Sequence, residues 1–212
     1  MDNLFKTIII IALITGATFA GKHGMANYYF KQAEHQLTYL QGQKANTEQQ
    51  TVESTGQESA SLESISQKNN SQINLEVYNQ AIGYIDDALN LHRNPQYIEA
   101  KAQTFEIAVR LNLTNNKSAT LLQAKALYLE STELRPTWPV TWASLALIKW
   151  HMQEFDAEMI QYLDNAFTFG KNRVEVKNIW QQLGQALSNS SNPAHRELIK
   201  PHLNKLNYYK QK

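Results

Sequence analysis

The residues best suited to chemistry are aromatic and acidic side chains in the second half of the chain. All four tryptophans lie there, at Trp138, Trp142, Trp150 and Trp180. Because the flat face of an indole ring can stack on the apolar face of a sugar ring, such a cluster could form a glycan-contacting surface. Packing between helices is the alternative, and it suits Trp142 best. Trp138 stands between two prolines in a turn, so we expect it to be the more exposed of the two.

Three acidic residues alternate shortly after the third tryptophan, at Glu154, Asp156 and Glu158. Glycoside hydrolysis uses two carboxylates that flank the scissile bond. Nothing in the surrounding sequence would raise the pKa of one carboxylate relative to another. Acidic residues in the first turn of a helix are also ordinary, favourable partners of the helix dipole. We therefore expect a structural role for these residues and predict that the protein is not an enzyme.

Motifs for metal, phosphate or nucleophile chemistry are missing from the sequence. There is no cysteine, and the six histidines form no H-E-x-x-H or similar ligand pair. Neither a glycine-rich phosphate loop nor a G-x-S-x-G motif occurs. The formal charge is +1, from 20 basic and 19 acidic residues without a basic block, so nucleic acid is not expected as a partner. We predict no catalytic residue, cofactor or metal site.

The stretch AKALYLESTELRPTWPVTWASLALIKW, residues 124–150, has the spacing of tetratricopeptide repeats. The second helix of such a repeat alternates small residues with an aromatic one, so that two helices can approach closely. Pro136 cannot continue a helix and Pro139 suits a first turn, so the chain reverses between them. The residues that we expect to pack between repeats are Ala81, Ile85, Ala88, Ala124, Tyr128, Ser131, Pro136, Trp142, Leu145, Ala146 and Trp180.

The N-terminal segment, residues 1–24, contains the apolar run TIIIIALITGATFAG. This run is shorter than the roughly 20 residues that cross a bilayer comfortably, and it has the length of a signal-peptide core. Thr18-Phe-Ala20 or Gly24-Met-Ala26 could be a cleavage site. An uncleaved signal anchor is the alternative, which we favour. Both alternatives export the rest of the chain.

Two further segments separate this run from the main domain. Residues 25–41 place apolar side chains at helical spacing and predict an amphipathic, membrane-proximal helix. That helix either lies at the membrane interface through Tyr28 and Tyr29 or packs on the domain as an ordinary element. Residues 42–72 are rich in Gln, Ser, Glu, Thr and Asn and contain no aromatic residue. We expect them to be a disordered linker that acts as a tether.

Residues 73–212 show helical periodicity throughout. Asn94-Pro95 predicts a helix start, residues 112–118 a loop, and Gly170 a helix end. Pro193 restarts a helix, and Pro201 breaks the last segment. The predicted fold is therefore all-α: a short, tetratricopeptide-like solenoid of helical hairpins, preceded by an N-terminal membrane helix and a flexible tether.

The order of short motifs along the chain is YYF-x-QAEHQL, NPQYIEAKAQTFE, LRPTWPVTWASLALIKW, EFD and NAFTFG. It resembles the VpsP-type exopolysaccharide biosynthesis proteins, which are found in polysaccharide gene clusters of marine gamma-proteobacteria. The resemblance covers most of the chain outside the linker, and RPTWPVTWASLALIKW is its most specific part. In that family a Pro-Trp pair usually follows the glycine of NAFTFG, whereas this chain has Lys171 and Asn172 there.

The resemblance implies an accessory protein for exopolysaccharide assembly, with no established catalytic residues. We expect a non-catalytic scaffold in the inner membrane, single-pass, with its C-terminal domain in the periplasm. Residues 97–111 and 140–150 would line a groove for protein components of a polysaccharide synthesis or export complex. The candidate contact residues are Tyr97, Trp138, Lys149 and Trp150. The alternatives are an assembly factor for another envelope complex, such as cytochrome maturation or division, and a direct glycan-binding module.

Overall fold

The computed structural model describes the backbone of residues 2–50 and 60–210, and the side chains of residues 5–43 and 69–209. The helices are α1 (Asp2–Gln50), α2 (Ala60–Leu91), α3 (Pro95–Arg110), α4 (Lys117–Leu134), α5 (Pro139–His151), α6 (Ala157–Gly170), α7 (Val174–Ser188), α8 (Pro193–Ile199) and α9 (Leu203–Lys210). A short 3₁₀ turn, Lys200–His202, joins the last two. No strand occurs within these ranges, so the predicted all-α class is confirmed, while the tetratricopeptide-like solenoid stays a prediction.

The contacts divide the chain into two compact units, Met1–Leu113 and Thr114–Lys212. The predicted boundaries differ in two ways. The expected single domain of residues 73–212 is divided between the units, and residues 25–41 are not a separate element because α1 continues without a break from Asp2 to Gln50. Helices also enter both ends of the predicted linker, since α1 ends at Gln50 and α2 begins at Ala60. Residues 51–59 lie outside the described residues, and the tether stays a prediction.

In the first unit, α1 and α2 pack as an antiparallel helical hairpin, and α3 packs against both. The direction follows from the ring contacts: His23 meets His92 at 4.1 Å between ring centroids, and Tyr29 stacks near Tyr84 at 6.4 Å. Farther along α1, Leu37 is buried in the same apolar seam. Helical spacing of apolar residues on α1 therefore buries one face against its neighbours, as one of the two alternatives for residues 25–41 requires.

The N-terminal part of α1 is different, because its apolar side chains are exposed. The exposed large ones are Phe5, Ile8, Ile9, Ile10, Ile11, Leu13, Ile14 and Phe19. Among the described residues, α1 is the one helix that is both long enough and apolar enough to cross a membrane. A signal sequence would meet the same criteria. The structure thus places an exposed apolar segment and a packed segment on the same helix.

In the second unit, α5 packs against α4, α6 and α7, and α8 and α9 pack against α7. Polar side chains close the helix ends: Asn116 and Asp156 accept hydrogen bonds from backbone N–H groups of α4 and α6. Pro139 is at the first position of α5, as its fixed backbone angle favours. In the first unit, Asn94 and Pro95 open α3 in the same way, as predicted from the sequence.

Most of the residues predicted to pack between repeats are buried within their own units. The buried ones are Ala81, Ile85, Ala88, Ala124, Tyr128, Ser131, Leu145, Ala146 and Trp180. Trp142 is half-buried, and its indole Nε1 donates a hydrogen bond of 2.7 Å to the carbonyl of Pro136. Pro136 itself is exposed in the α4–α5 turn. It contributes to packing through its backbone carbonyl, which accepts the hydrogen bond from Trp142.

Candidate functional site

A surface cavity of about 570 Å³ lies in the second unit, between the α4–α5 turn and the α6–α7 turn. Its walls are Thr137, Trp138, Pro139, Thr168, Phe169, Gly170, Lys171, Asn172 and Arg173. We call it the Trp138 groove. It contains Trp138, which the sequence places in a turn, and the Lys171–Asn172 pair that follows the glycine of NAFTFG. Its lining combines two aromatic rings, one exposed and one half-buried, with basic and hydroxyl side chains.

The groove depends on a close approach between two turns. A Cβ atom added to Gly170 would lie 2.3 Å from Cγ of Pro139 and 2.6 Å from its Cβ, far inside ordinary contact distance. Only glycine therefore allows the end of α6 to pass this close to the first residue of α5. The sequence identified Gly170 as a helix end and Pro139 as a helix start, but their contact follows from the packing of α5 on α6.

The ring of Trp138 is flanked by cations. The guanidinium carbons of Arg135 and Arg173 lie 5.0 and 4.8 Å from its centroid, within the range of a cation–π interaction. Trp138 is half-buried, and Phe169 beside it is exposed. The expectation that Trp138 is accessible is thus met in part, since arginine side chains cover some of the ring. A ligand in this groove would meet aromatic surface and positive charge together.

The other candidate contact residues do not share this surface. Tyr97 is buried in the first unit, where its ring contacts Phe30 at a centroid distance of 4.6 Å. Lys149 is buried in the second unit. The prediction that these two residues form an exposed contact surface is therefore wrong. Trp150 is half-buried, and its ring packs edge-on against Phe155 at 5.2 Å.

Lys149 is the centre of an ion cluster that the sequence analysis did not recognise. Its Nζ donates hydrogen bonds of 2.6, 2.6 and 2.8 Å to the carboxylates of Glu154, Asp156 and Glu158. Glu158 also accepts hydrogen bonds from Lys125 at 2.9 Å and from the Tyr162 hydroxyl at 2.6 Å. The lysine side chain is only 3% exposed, whereas the three carboxylates are 41–49% exposed. A buried ammonium group is acceptable here because each of its protons has an anionic acceptor.

The contacts within the cluster favour the charged forms of Lys149, Asp156 and Glu158. Burial alone would lower the pKa of Lys149, but hydrogen bonds to Asp156, Glu154 and Glu158 outweigh it and raise that pKa. The hydrogen bond from Lys149 is the main reason why the pKa of Glu158 falls to about 2. Burial would raise the pKa of Asp156, yet the bond from Lys149 and other hydrogen bonds lower it. Asp156 and Glu158 thus have lowered pKa values, whereas a general acid would need a raised one.

The same three carboxylates also have the spacing of a cation site, since their oxygens lie within 4.8 Å of one another. The ammonium group of Lys149 lies among them and supplies the positive charge that a metal ion would otherwise bring. Asp156 in addition accepts a hydrogen bond of 3.0 Å from the backbone N–H of Met159, as the first-turn role predicted for it requires. The geometry therefore assigns these residues to holding the α5–α6 connection.

Comparisons with known proteins do not extend this picture. A scan of the sequence against protein-family models gave no match. A search of curated proteins gave no significant similarity. The resemblance to the VpsP-type proteins stays a prediction, which rests on the motifs quoted above.

Proposed function

We propose that this chain is a non-catalytic, membrane-tethered adaptor that supports exopolysaccharide biosynthesis or export in the bacterial envelope. In this proposal α1 crosses the inner membrane once, and the folded units lie in the periplasm. The observation that carries the proposal is the continuity of α1, which bears exposed apolar side chains at one end and buried ones farther along. The polysaccharide pathway itself enters through the sequence resemblance alone.

The packing of α1 argues against one of the two candidate cleavage sites, the one after Ala26. Ala26, the last residue of one candidate cleavage site, is fully buried and belongs to a cluster with Ala88 and Tyr97. Cleavage after Ala26 would remove it and His23 from the first unit, and with them part of the packing around the α2–α3 turn. Cleavage after Ala20 would leave this packing intact. An uncleaved helix would connect the membrane segment rigidly to the folded unit, without a flexible link.

The test of this proposal is extracellular polysaccharide in a clean deletion strain of the host, with transcription of the neighbouring genes checked. We expect polymer to be lost and then restored by the full-length protein. A variant in which residues 1–21 are replaced by a cleavable signal sequence keeps all the side chains of α1 that are buried among the described residues but loses the membrane segment. It should not restore the polymer, whereas an unrelated single-span helix in place of residues 1–21 should.

Unchanged polymer in the deletion strain, under conditions in which the pathway is active, would contradict the polysaccharide role. Polymer restored by the cleavable variant would contradict the need for a tether. Neighbouring genes separate the adaptor from its closest alternative: glycosyltransferase and export genes favour it, and haem-handling or division genes favour an assembly factor for another envelope complex.

The Trp138 groove favours a second candidate, direct glycan binding. An exposed Phe169 and a half-buried Trp138 beside Lys171 would suit an acidic oligosaccharide. Titration with such an oligosaccharide should then quench tryptophan fluorescence, and Trp138→Ala should abolish the quenching without a change in melting temperature. Trp150→Phe is the matched control, because Trp150 lies outside the groove. Quenching that survives Trp138→Ala would exclude this site.

A further inference from the structure

The turn between α2 and α3 lies beside the membrane-facing end of α1. The ring of His92, in this turn, meets the ring of His23 at 4.1 Å, and His23 in turn contacts Phe19 at the same distance. Phe19 is the last large side chain of the exposed apolar run. The antiparallel hairpin thus returns the chain to α1 within one helical turn of the point where that run ends.

The depth of this point in a bilayer follows from helix geometry. Lys6 and Lys22 flank the apolar run, and both can extend their charges toward water, so the run is centred near Ile14. A hydrocarbon core of about 30 Å takes about 20 helical residues at 1.5 Å each, which extends from about residue 4 to residue 24. His23 therefore lies at the boundary of the core. Its neighbour His92, 4.1 Å away between ring centroids, would lie at the same boundary, next to the lipid headgroups.

The charge of this end of the hairpin suits an acidic surface. No Asp or Glu occurs between residues 3 and 33 or between residues 88 and 98, whereas Lys22 and Arg93 fall in these ranges. These two cationic residues are exposed. Lys31, farther along α1, is paired with Glu34 and adds no such charge. Anionic headgroups attract lysine and arginine within a Debye length, about 8 Å at physiological salt.

We propose that the α2–α3 turn is a second membrane contact, at which Arg93 and Lys22 face anionic lipid headgroups. This inference rests on the proposed membrane tether. Two contacts, one through α1 and one through the turn, would fix the tilt of the hairpin relative to the bilayer. The hairpin would then rise from the membrane at a defined angle, rather than pivot on one helix.

The absence of cysteine allows a direct test with single-cysteine variants of the full chain. Asn90→Cys places a label one residue before Leu91, the end of α2, and Asn79→Cys is its matched control. Both positions are exposed, and eleven residues is close to three helical turns, so both labels lie on the same face about 16 Å apart. Each labelled protein is reconstituted into vesicles of phosphatidylcholine with phosphatidylglycerol. A headgroup-attached spin label then quenches the fluorophore.

We expect at least about threefold stronger quenching at position 90 than at 79, because 16 Å exceeds the headgroup layer of about 5–8 Å. Arg93→Gln should reduce the quenching at position 90, as should vesicles of phosphatidylcholine alone. Equal quenching at both positions in protein that floats with alkali-washed vesicles would overturn the inference and leave the tether intact. Protein that does not float with the vesicles would contradict the tether, and the second contact with it. An unchanged signal in Arg93→Gln would overturn the role of charge.

Discussion

The two units stabilise their helices by different means. In the first unit, α1 and α2 are long, and together with α3 they bury a continuous apolar seam that includes Ala33, Leu37 and Ile85. In the second unit the helices are shorter, and polar contacts connect them: the Lys149 cluster joins α5 to α6, and the indole N–H of buried Trp180 donates to the carbonyl of Leu163 at 2.8 Å. Both units are all-α, but apolar packing connects the helices of the first, and polar contacts help to connect those of the second.

Helix length explains the difference. Each helix end leaves backbone N–H or C=O groups without a partner inside the helix. Several short helices have more ends than one long helix that buries the same area, so they leave more of these groups to be satisfied. The second unit meets this demand with side-chain caps and ion pairs. The stability of the first unit should therefore depend on side-chain volume, and that of the second on charge as well.

Fluorescence can follow the units separately, because all four tryptophans lie in the second unit and none in the first. Tryptophan emission reports the unfolding of residues 114–212. Hydrogen exchange in α2 reports the first unit. The two measurements together show whether the units respond independently.

The largest effect should come from the apolar seam. Ile85→Ala removes a fully buried side chain and leaves a cavity, so we expect a loss of about 2–5 kcal/mol in the first unit. Hydrogen exchange in α2 should accelerate, while the tryptophan transition stays in place. Ile73→Ala, at an exposed position of the same helix, is the control and should change little. A matching shift of the tryptophan transition would mean that the units unfold as one.

The next effect should come from the ion cluster. Lys149→Met keeps the approximate volume but removes the cation that contacts all three carboxylates, and leaves only Lys125 at Glu158. We expect a loss of about 2–4 kcal/mol, below the full effect of breaking a buried ion pair because the carboxylates are partly exposed. Chemical denaturation followed by tryptophan emission measures it. Lys117→Met, at an exposed site in the same unit, is the control.

Acidification sharpens that test. The loss caused by Lys149→Met should shrink below the pKa of ordinary carboxylates, since protonated groups no longer repel one another. A loss that is equal at pH 7 and at low pH would assign the effect to packing instead of charge. The comparison between a volume-dependent and a charge-dependent unit would then fail.

A smaller effect should come from Gly170→Ala. The added methyl group would lie 2.3 Å from Pro139, so backbone must move, and overpacking of this kind costs about 1–3 kcal/mol. The emission of Trp138 should shift with it, because the change widens the groove. Gly184→Ala is the matched control: its added methyl group would meet a movable Leu206 methyl at 3.2 Å. Equal losses for the two variants would show that the Gly170 approach is not special.

The pH dependence of the wild-type second unit has a fixed sign. Glu158 has a folded pKa of about 2 against an ordinary 4.5, and the pKa of Asp156 is also lowered. Groups with lowered folded pKa values contribute stability above their unfolded pKa and lose it as pH falls toward the folded value. The tryptophan transition should therefore weaken between about pH 4.5 and 2. A transition midpoint that does not change over this range would contradict the charged cluster.

Local signals in the sequence predicted much of the helical framework. Asn94 and Pro95 open α3, Pro139 opens α5, and Gly170 ends α6, because caps and fixed backbone angles act within a few residues. Contacts between distant segments were not predictable in this way. Tyr97 was expected on a surface and is buried, because α1 covers it from a segment more than sixty residues earlier.

The residues of the Lys149 cluster are close together in the sequence, but their pairing is not apparent when each is considered alone. Three alternating carboxylates follow Lys149, and the sequence assigned the carboxylates to a helix start and the lysine to a surface. A lysine in an apolar helix, five residues before the first of several carboxylates, can fold under them when the turn is tight. Gln153 lies in that turn with a positive φ of 60°, a conformation that the sequence does not predict for a glutamine.

The smallest effects should come from removing one ion pair in each unit. Asp164 forms an ion pair with Lys205 at 2.5 Å and a hydrogen bond with Nδ1 of His202 at 3.1 Å. Its side chain is 26% exposed. Asp86 pairs with Lys101 at 2.6 Å and is 43% exposed. Asp164→Asn should cost the second unit about 1 kcal/mol, and Asp86→Asn should cost the first at most about 0.5, because exposed pairs contribute little. Tryptophan emission measures the loss from Asp164→Asn in the second unit, and hydrogen exchange in α2 measures the loss from Asp86→Asn in the first. A larger loss from Asp86→Asn would show that the hairpin, too, depends on charge, because its apolar seam would then not suffice to hold α2 against α3.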